Sequence, residues 1–312
     1  MDLYPTDEQR ELVTAARAVT RAGAADVWTA ATGQGWLALG LPEDAGGLGG
    51  SLADEARLYA EIGASAVAGP VLATSTAVRV AASAGRLDLV ERLAEGRAGH
   101  AFATTGSVVA FDARDADVLL LVDEESGSLR LVPMTDAMVV ADLTPLDPAV
   151  TAERVDLSGG EVLAEVTGAA AEHELVRAAV LVAAMLAGIT NAATDLSVAY
   201  AGLREQFGKP IGAFQAISHR CADMAMRARA ATAVTDFAAV SVDEHHPDAR
   251  RRVAAARRHT ETAALENTRA TIQVHGATGF TWEHDAHRLL KRATFLAAGF
   301  LPRTAQTEAL TA

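Results

Sequence analysis

Apolar residues recur at helical spacing through the first hundred residues of the chain. Thr6 with Gln9, and Ser51 with Asp54, have the spacing at which a helix cap and the residue three positions later bond to each other's backbone. Glycines such as Gly96 follow the last apolar position of a segment, as at many helix ends. The pattern predicts an N-terminal region made of helices.

The period of the pattern changes between about 100 and 167. Short apolar runs at 118–122, 129–132 and 138–140 are separated by clusters of Pro, Gly and Asp, which is typical of small strands joined by turns. This segment therefore predicts a small β region.

From Glu172 to about Arg204 the chain is apolar almost all round, as expected of a helix buried in a bundle. Further helices are predicted at 213–242, 247–275 and 285–299. The pattern as a whole predicts a mainly α fold with a small β domain. Its predicted parts are an N-terminal helical domain (1–99), a reduced β domain (100–170) and a C-terminal helical bundle (171–312).

Composition narrows the function. The 312 residues carry a net charge of −13, which argues against a nucleic-acid partner because phosphate contacts need a basic surface. The single cysteine, Cys221, excludes internal disulfides and a cysteine-based zinc cluster. We find no apolar run long enough to cross a bilayer and no signal-like start, so we expect a cytoplasmic protein with no membrane span.

Three candidate sites carry weak signals. Gly33-x-Gly35-x-x-Ala38 resembles a dinucleotide fingerprint, but a helix is predicted before it instead of the required strand. His284 and His287 stand three residues apart, yet no third ligand lies at a suitable spacing, so we predict no metal site. Cys221 lies in an apolar helical context, which favours an inert thiol.

A stronger signal comes from two segments that each join a helix end to a glycine-containing turn. They read REQFGKPIGAFQ (204–215) and IQVHGATGFTWEHD (272–285). Arg204 offers a forked donor suited to a pyrophosphate, and Gln215 and Gln273 offer amides near helix ends. Gly276 permits close approach of the backbone. The residues alone leave two alternatives open, a site for a phosphate-bearing ligand and a pair of ordinary helix junctions.

At these residues the chain resembles the acyl-CoA dehydrogenase family. The pattern R-x-Q-F-G-x-P-I-x-x-F-Q…H-x-x-A-D-M matches, as does Q-x-H-G-x-x-G-F-T-W-E-H-D, and the segment at 35–50 resembles the family's N-terminal helical domain. The resemblance covers nearly the whole chain. It implies an acyl-CoA dehydrogenase-like fold of helical domain, small β domain and four-helix bundle.

The resemblance also implies chemistry and partners. The family desaturates an acyl-CoA thioester: a glutamate removes the Cα proton, the Cβ hydride passes to FAD, and electron-transfer flavoprotein reoxidises the flavin. By position, the residues expected to contact FAD, which is held mainly by a neighbouring subunit, are Arg204, Gln206, Phe207, Phe214, Gln215, Gln273, Val274, His275 and Gly276.

The chain departs from the family pattern at the base. One family position for the glutamate falls at Phe300, with Glu308 the first acid beyond it, and the other falls at about Ala178. Neither Phe300 nor Ala178 can take a proton. Glu174, one turn before Ala178 on the same helical face, is the substitute candidate, and its alternative role is a capping or surface charge.

The β domain departs as well. The family's flavin-facing stretch is replaced by 103–107, ATTGS, and no Trp occurs between Trp36 and Trp282. Full-length members are also longer by several tens of residues. The chain thus resembles the shorter, degenerate subunit of actinobacterial acyl-CoA dehydrogenases that act on steroid-derived CoA esters as α2β2 heterotetramers.

We therefore expect a subunit that contributes FAD contacts while a longer homologous partner, in a heterodimer or an α2β2 assembly, supplies the glutamate. Two alternatives stay open. One is a self-sufficient homomeric dehydrogenase with a displaced base, and the other is a flavin-free acyl-CoA-binding or structural homologue.

Overall fold

The computed structural model describes residues 3–104, 107–123, 126–158 and 161–299. Helices fill the first part of the chain, as the apolar spacing predicts. Their bounds are α1 Asp7–Ala22, α2 Ala24–Gly33, α3 Leu52–Ser65, α4 Val71–Ser83 and α5 Leu87–Glu95.

Both predicted helix caps form. The backbone N–H of Thr6 donates to Gln9 Oε1 and that of Gln9 to Thr6 Oγ1, each at 3.2 Å. Ser51 and Asp54 exchange the same two bonds at 2.8 and 3.1 Å. These bonds satisfy backbone donors that the first turn of a helix would otherwise leave unpaired.

A seven-stranded sheet follows, with strand order β5-β6-β2-β1-β3-β4-β7. The strands are β1 Ala98–Thr104, β2 Ser107–Phe111, β3 Val118–Val122, β4 Leu129–Pro133, β5 Val139–Leu143, β6 Ala152–Val155 and β7 Ala164–Val166. The pairing of β1 with β3 is parallel and the other pairings are antiparallel. Strands β3, β4 and β5 confirm the three strands predicted from the apolar runs, and β3 is buried along its whole length.

The remaining helices are α6 Gly168–Leu203, α7 Gln215–Asp243, α8 Ala249–His275 and α9 Ala286–Gly299. Each lies where the sequence predicts one, and α6 begins four residues earlier than expected. Two short strands, β8 Glu205–Gln206 and β9 Lys209–Pro210, form a hairpin between α6 and α7.

A buried amide joins three of these helices. Asn267 of α8 donates from Nδ2 to Thr194 Oγ1 of α6 at 3.0 Å and to the Met224 carbonyl of α7 at 2.9 Å. Its Oδ1 accepts from Arg227 Nη1 at 3.3 Å. A buried amide needs several partners at once, so these bonds fix the register of α6, α7 and α8.

The sequence-based prediction that no apolar segment is long enough to cross a bilayer was wrong. By length and composition alone, α6 could cross a bilayer. However, 78% of its most apolar window is buried inside the protein, which is how a core helix behaves.

By Cα proximity the chain divides into two compact units. One consists of Met1–Arg17, Ala56–Ala66 and Ala179–Ala312, and the other of Ala18–Glu55 and Val67–Ala178. Helices α1, α3 and α6 each contribute residues to both. The three-domain division at 99 and 170 stays a prediction.

Candidate cofactor site

The two motif segments meet at one end of the C-terminal bundle. Tyr200, in the last turn of α6, stacks on His275, the last residue of α8, with ring centroids 4.2 Å apart. In the connection to α7, a Cβ placed on Gly212 would lie 3.0 Å from the Ala201 carbonyl oxygen, so this connection folds back against α6. The end of α6, the start of α7 and the end of α8 are therefore neighbours.

The hairpin of β8 and β9 projects an aromatic side chain. Phe207 and Gly208 form its tip with φ angles of +54° and +76°. A positive φ at a residue other than glycine costs about 1–2 kcal/mol and tends to persist at functional sites. Phe207 is 93% exposed, and its ring meets Phe214 edge-on at 6.1 Å, while Lys209 Nζ lies 4.4 Å from the Phe214 ring centroid.

The polar side chains of the first motif are exposed. Arg204 and Gln215 make no side-chain hydrogen bond or ion pair with any residue that the structure describes. Gln206 donates from Nε2 to the Glu205 carbonyl at 2.7 Å. Arg204 and Gln215 therefore keep all their side-chain donors for a ligand or another protein.

The second motif divides into exposed and buried residues. Gln273 is exposed, whereas Val274 and His275 are buried. Gly276 has φ +59° and ψ −134°, a conformation that other residues rarely adopt. A ligand at this turn would thus meet the Gln273 amide and the backbone of the next three residues, not the side chains of Val274 and His275.

An open cleft of about 630 Å³ lies between α7 and α8 and includes Gln273 in its wall. Arg227 in this cleft pairs with Glu266 at 2.7 Å. Arg220, Asp223 and Arg269 are exposed there, and none forms an ion pair within the described parts of the chain. The cleft therefore presents two unpaired cations and one unpaired anion.

The sequence analysis missed Arg220 and Arg269. Helical spacing could have revealed Arg269, because it stands four residues before Gln273 and so shares its face of α8.

Glu174 lies in the other unit and is 3% exposed. Arg79 Nε donates to its Oε2 at 2.7 Å, and Ser83 Oγ donates to its Oε1 at 2.8 Å. Both carboxylate oxygens are thus occupied by donors from α4. Ala178, one turn later, is 2% exposed, and Phe300 and Glu308 lie outside the described residues.

The histidines of the weak metal candidate have backbone partners. His284 Nδ1 accepts from the Ala286 N–H at 3.1 Å, and His287 Nε2 donates to the Trp282 carbonyl at 2.8 Å. In the described part of the chain, no three His, Cys, Asp or Glu side chains are placed to hold a metal ion.

The other weak candidates take ordinary positions. Cys221 is half-buried on α7, and burial raises the pKa of its thiol, which disfavours the reactive thiolate. Helix α2 precedes Gly35, so the strand required by a dinucleotide fingerprint is not there.

Comparison with known proteins identifies the family. The model described as acyl-CoA dehydrogenase, N-terminal domain, matches residues 6–96, and the model described as acyl-CoA dehydrogenase, C-terminal domain, matches residues 168–299.

Two curated relatives match over most of the chain. Acyl-CoA dehydrogenase FadE34 of Mycobacterium tuberculosis is 36% identical over 299 residues, which are 89% of this chain and 41% of that protein. Acyl-CoA dehydrogenase IpdE2 of Mycolicibacterium smegmatis is 33% identical over 268 residues, 83% of this chain and 78% of that protein. The chain thus spans less than half of FadE34 and most of IpdE2.

Solved structures share the fold. The Tcur3481-Tcur3483 steroid ACAD G363A variant has a TM-score of 0.82 at 22% identity and covers 98% of this chain and 97% of its own. The ChsE4-ChsE5 complex from Mycobacterium tuberculosis gives 0.82 at 20% identity, covering 100% and 98%. Together with the family models and IpdE2, this agreement confirms the resemblance seen in the motifs: the chain belongs to the acyl-CoA dehydrogenase family, whose members are FAD-dependent oxidoreductases.

Proposed function

We propose that this chain is the auxiliary subunit of a heteromeric FAD-dependent acyl-CoA dehydrogenase. It contributes contacts to the nucleotide end of FAD, and a longer homologous partner supplies the catalytic glutamate. The proposal rests on the contrast between the exposed polar residues of the two motifs and the buried Glu174. Arg204, Gln215 and Gln273 stand exposed at one end of the bundle without partners in the described chain, whereas Glu174 is buried in an ion pair.

The residues at the bundle end fit a dinucleotide. Arg204 can give a pyrophosphate two parallel hydrogen bonds, which suits the planar guanidinium. The amides of Gln215 and Gln273 add neutral donors beside it, and the positive φ of Gly276 brings backbone close to the surface. When bound, FAD supplies the hydride acceptor of the family's reaction, and this chain's part is to bind and orient its phosphates.

The position of the base supports a division of labour. Ala178 has no titratable group, and the two oxygens of Glu174 already accept from Arg79 and Ser83. To act as a base, Glu174 would have to leave a buried cation unpaired, which costs about 3–5 kcal/mol. A glutamate from another subunit avoids this cost.

The β region supports the same division. Strands β1 and β2 pair from His100 with Phe111 to Thr104 with Ser107, so they are joined by two residues only. Residues 103–107 stand where the resemblance puts the family's flavin-facing stretch; 105 and 106 lie outside the described residues, and no Trp occurs in the described strands. The flavin ring then needs its platform from the partner.

The exposed surface of α7, which includes one wall of the cleft, supports an interface. Ala216, Ala222, Ala225 and Met226 are all exposed on this helix, and Met226 is 72% exposed. A surface helix of a monomer usually keeps apolar residues on its buried side. A partner subunit that packs here would cover them and bring carboxylates to Arg220 and Arg269.

The relatives suggest the assembly and the substrate. One neighbouring structure is the ChsE4-ChsE5 complex, which has two named components, and another, Tcur3481-Tcur3483, is a steroid ACAD. We therefore extend to this chain an α2β2 or heterodimeric assembly in the cytoplasm that desaturates a steroid-derived acyl-CoA ester. Electron-transfer flavoprotein would be its electron acceptor.

The test is the flavin content of the complex. The chain is tagged and purified from the organism that encodes it, so that its partner and flavin come with it, and the absorbance near 450 nm is measured per complex. We expect Arg204→Ala to lower the flavin content at least tenfold and Arg258→Ala, an exposed arginine elsewhere on α8, to leave it unchanged. Full flavin content in the Arg204 variant would contradict the assigned contact.

A further inference from the structure

Three aromatic rings, two of them from the second motif, meet at the end of the bundle. Tyr200 of α6 stacks on His275 of α8 at 4.2 Å with an interplanar angle of 27°, and His275 contacts His284 at 4.4 Å. His284 lies two residues before the first residue of α9, in the connection from α8. This row, which we call the ring stack, therefore ties together the ends of α6 and α8 and the start of α9.

The hydrogen bonds fix each imidazole in one tautomer. His275 Nδ1 lies 2.8 Å from the Thr271 carbonyl, which can only accept, so Nδ1 carries the proton. His284 Nδ1 accepts from the Ala286 N–H, so its proton is on Nε2. Both rings are thus oriented by backbone partners, and His284 also caps the first turn of α9.

The turn that follows His275 depends on this arrangement. Gly276 leaves α8 with a positive φ, and the chain folds back until a Cβ on the buried Gly279 would lie 3.0 Å from His275 Cβ. Outside this fold, Phe280 and Trp282 are 76% and 67% exposed. The His275 ring and its neighbours are therefore the inner support of a turn whose outer side chains are largely exposed.

The ring stack also reaches the first motif. The Tyr200 carbonyl accepts from the Arg204 N–H at 2.8 Å, and the Arg204 carbonyl accepts from the Ile211 N–H at 2.8 Å. The residue that stacks on His275 thus also receives the hydrogen bond at which α6 ends and the hairpin begins.

We infer that Tyr200 and His284 are positioning residues that hold the two nucleotide-contacting segments, one at Arg204 and one at 273–276, in a single fixed arrangement. Tyr200 lies outside the motifs that indicated the site, and His284 belongs to the second motif but has no FAD contact assigned to it. The inference rests on the proposed function for its ligand, FAD. The arrangement itself is a property of this chain.

The first measurement follows the turn in the purified chain by hydrogen exchange of the peptide 272–287. Tyr200→Ala and His284→Ala should speed exchange there, and Tyr200→Phe, which keeps the ring, should restore protection. Leu186→Ala, in the buried middle of α6, serves as a control for a general loss of stability. Equal protection in the two alanine variants and the wild type, or equal loss in the Leu186 control, would overturn the inference.

The second measurement is the flavin dissociation constant of the native complex, taken well below the melting temperature. An aromatic contact is worth about 0.5–1.5 kcal/mol, so Tyr200→Ala should raise the constant roughly threefold to tenfold, and neither Tyr200→Phe nor Leu186→Ala should change it. A colourless wild-type complex would refute the proposed function. A yellow complex whose dissociation constant does not respond to Tyr200→Ala would refute the positioning role alone.

Discussion

Replacing Glu174 by glutamine shows whether its carboxylate has a structural or a catalytic role. The side chain is 3% exposed and its partner Arg79 is 12% exposed, so the pair is shielded from water. Glutamine keeps the size and can still accept from Ser83, but it leaves the Arg79 guanidinium buried without a counter-charge. The structure therefore predicts a stability defect rather than a defect in turnover.

The size of the effect follows from this burial. Removing one partner of a buried ion pair costs about 3–5 kcal/mol, and glutamine should lie near the lower value because its amide oxygen still accepts a hydrogen bond. At about 3 kcal/mol, and about 2 °C per kcal/mol for a chain of this size, the melting temperature should fall by roughly 6 °C. Glu172→Gln, on the exposed side of α6 where water screens charge interactions, should change the melting temperature by about 2 °C or less.

The assay combines calorimetry of each purified variant with turnover of the native complex at a temperature where all variants are folded. We expect Glu174→Gln to melt early and to turn over at the wild-type rate. An unchanged melting temperature together with lost turnover and retained flavin would refute this reasoning. That result would identify Glu174 as the base of a self-sufficient homomeric enzyme.

Three further variants test other parts of the structure. Gly188→Ala should lower the unfolding free energy, measured by denaturant titration, by about 1–3 kcal/mol because the new Cβ would overlap a backbone carbonyl of α3. Gly202→Ala has open space around it and should be neutral or stabilising. Burial lowers the pKa of His275, and the nearby His284 adds to the shift, so folding favours the neutral ring. The stability that this ring contributes is present above about pH 6.5 and is lost as the pH falls through the folded pKa. Denaturant titrations from about pH 5 to 8 should show this pH dependence in the wild type and not in His275→Asn. Arg269→Glu should lower the amount of partner subunit that co-purifies at least tenfold, and Arg258→Glu should not. Equal recovery of the partner with both variants would argue against an interface at the cleft.

The sequence predicted the helices of this fold well because their signals are local. Caps such as Thr6 with Gln9, and apolar spacing in the first hundred residues, act within a few residues. Strands β1, β2, β6 and β7 were not placed individually, since Ala- and Gly-containing segments such as 98–104 take strand conformation only through their neighbours in the sheet.

The candidate site shows the same limit. The motifs indicated Arg204 and Gln273, and the helix order places them at one end of the bundle. The sequence could not show that Glu174 meets Arg79, 95 residues away, or that His275 is buried against Tyr200 and His284. These contacts depend on tertiary packing, which a periodic pattern along one segment does not contain.

The flavin spectrum and turnover of this chain, measured alone and in its native complex, test the division of labour most directly. We expect a colourless, inactive chain alone and a yellow, active complex that contains a longer homologous subunit. Acyl-CoA desaturation by the purified lone chain with bound flavin would contradict it.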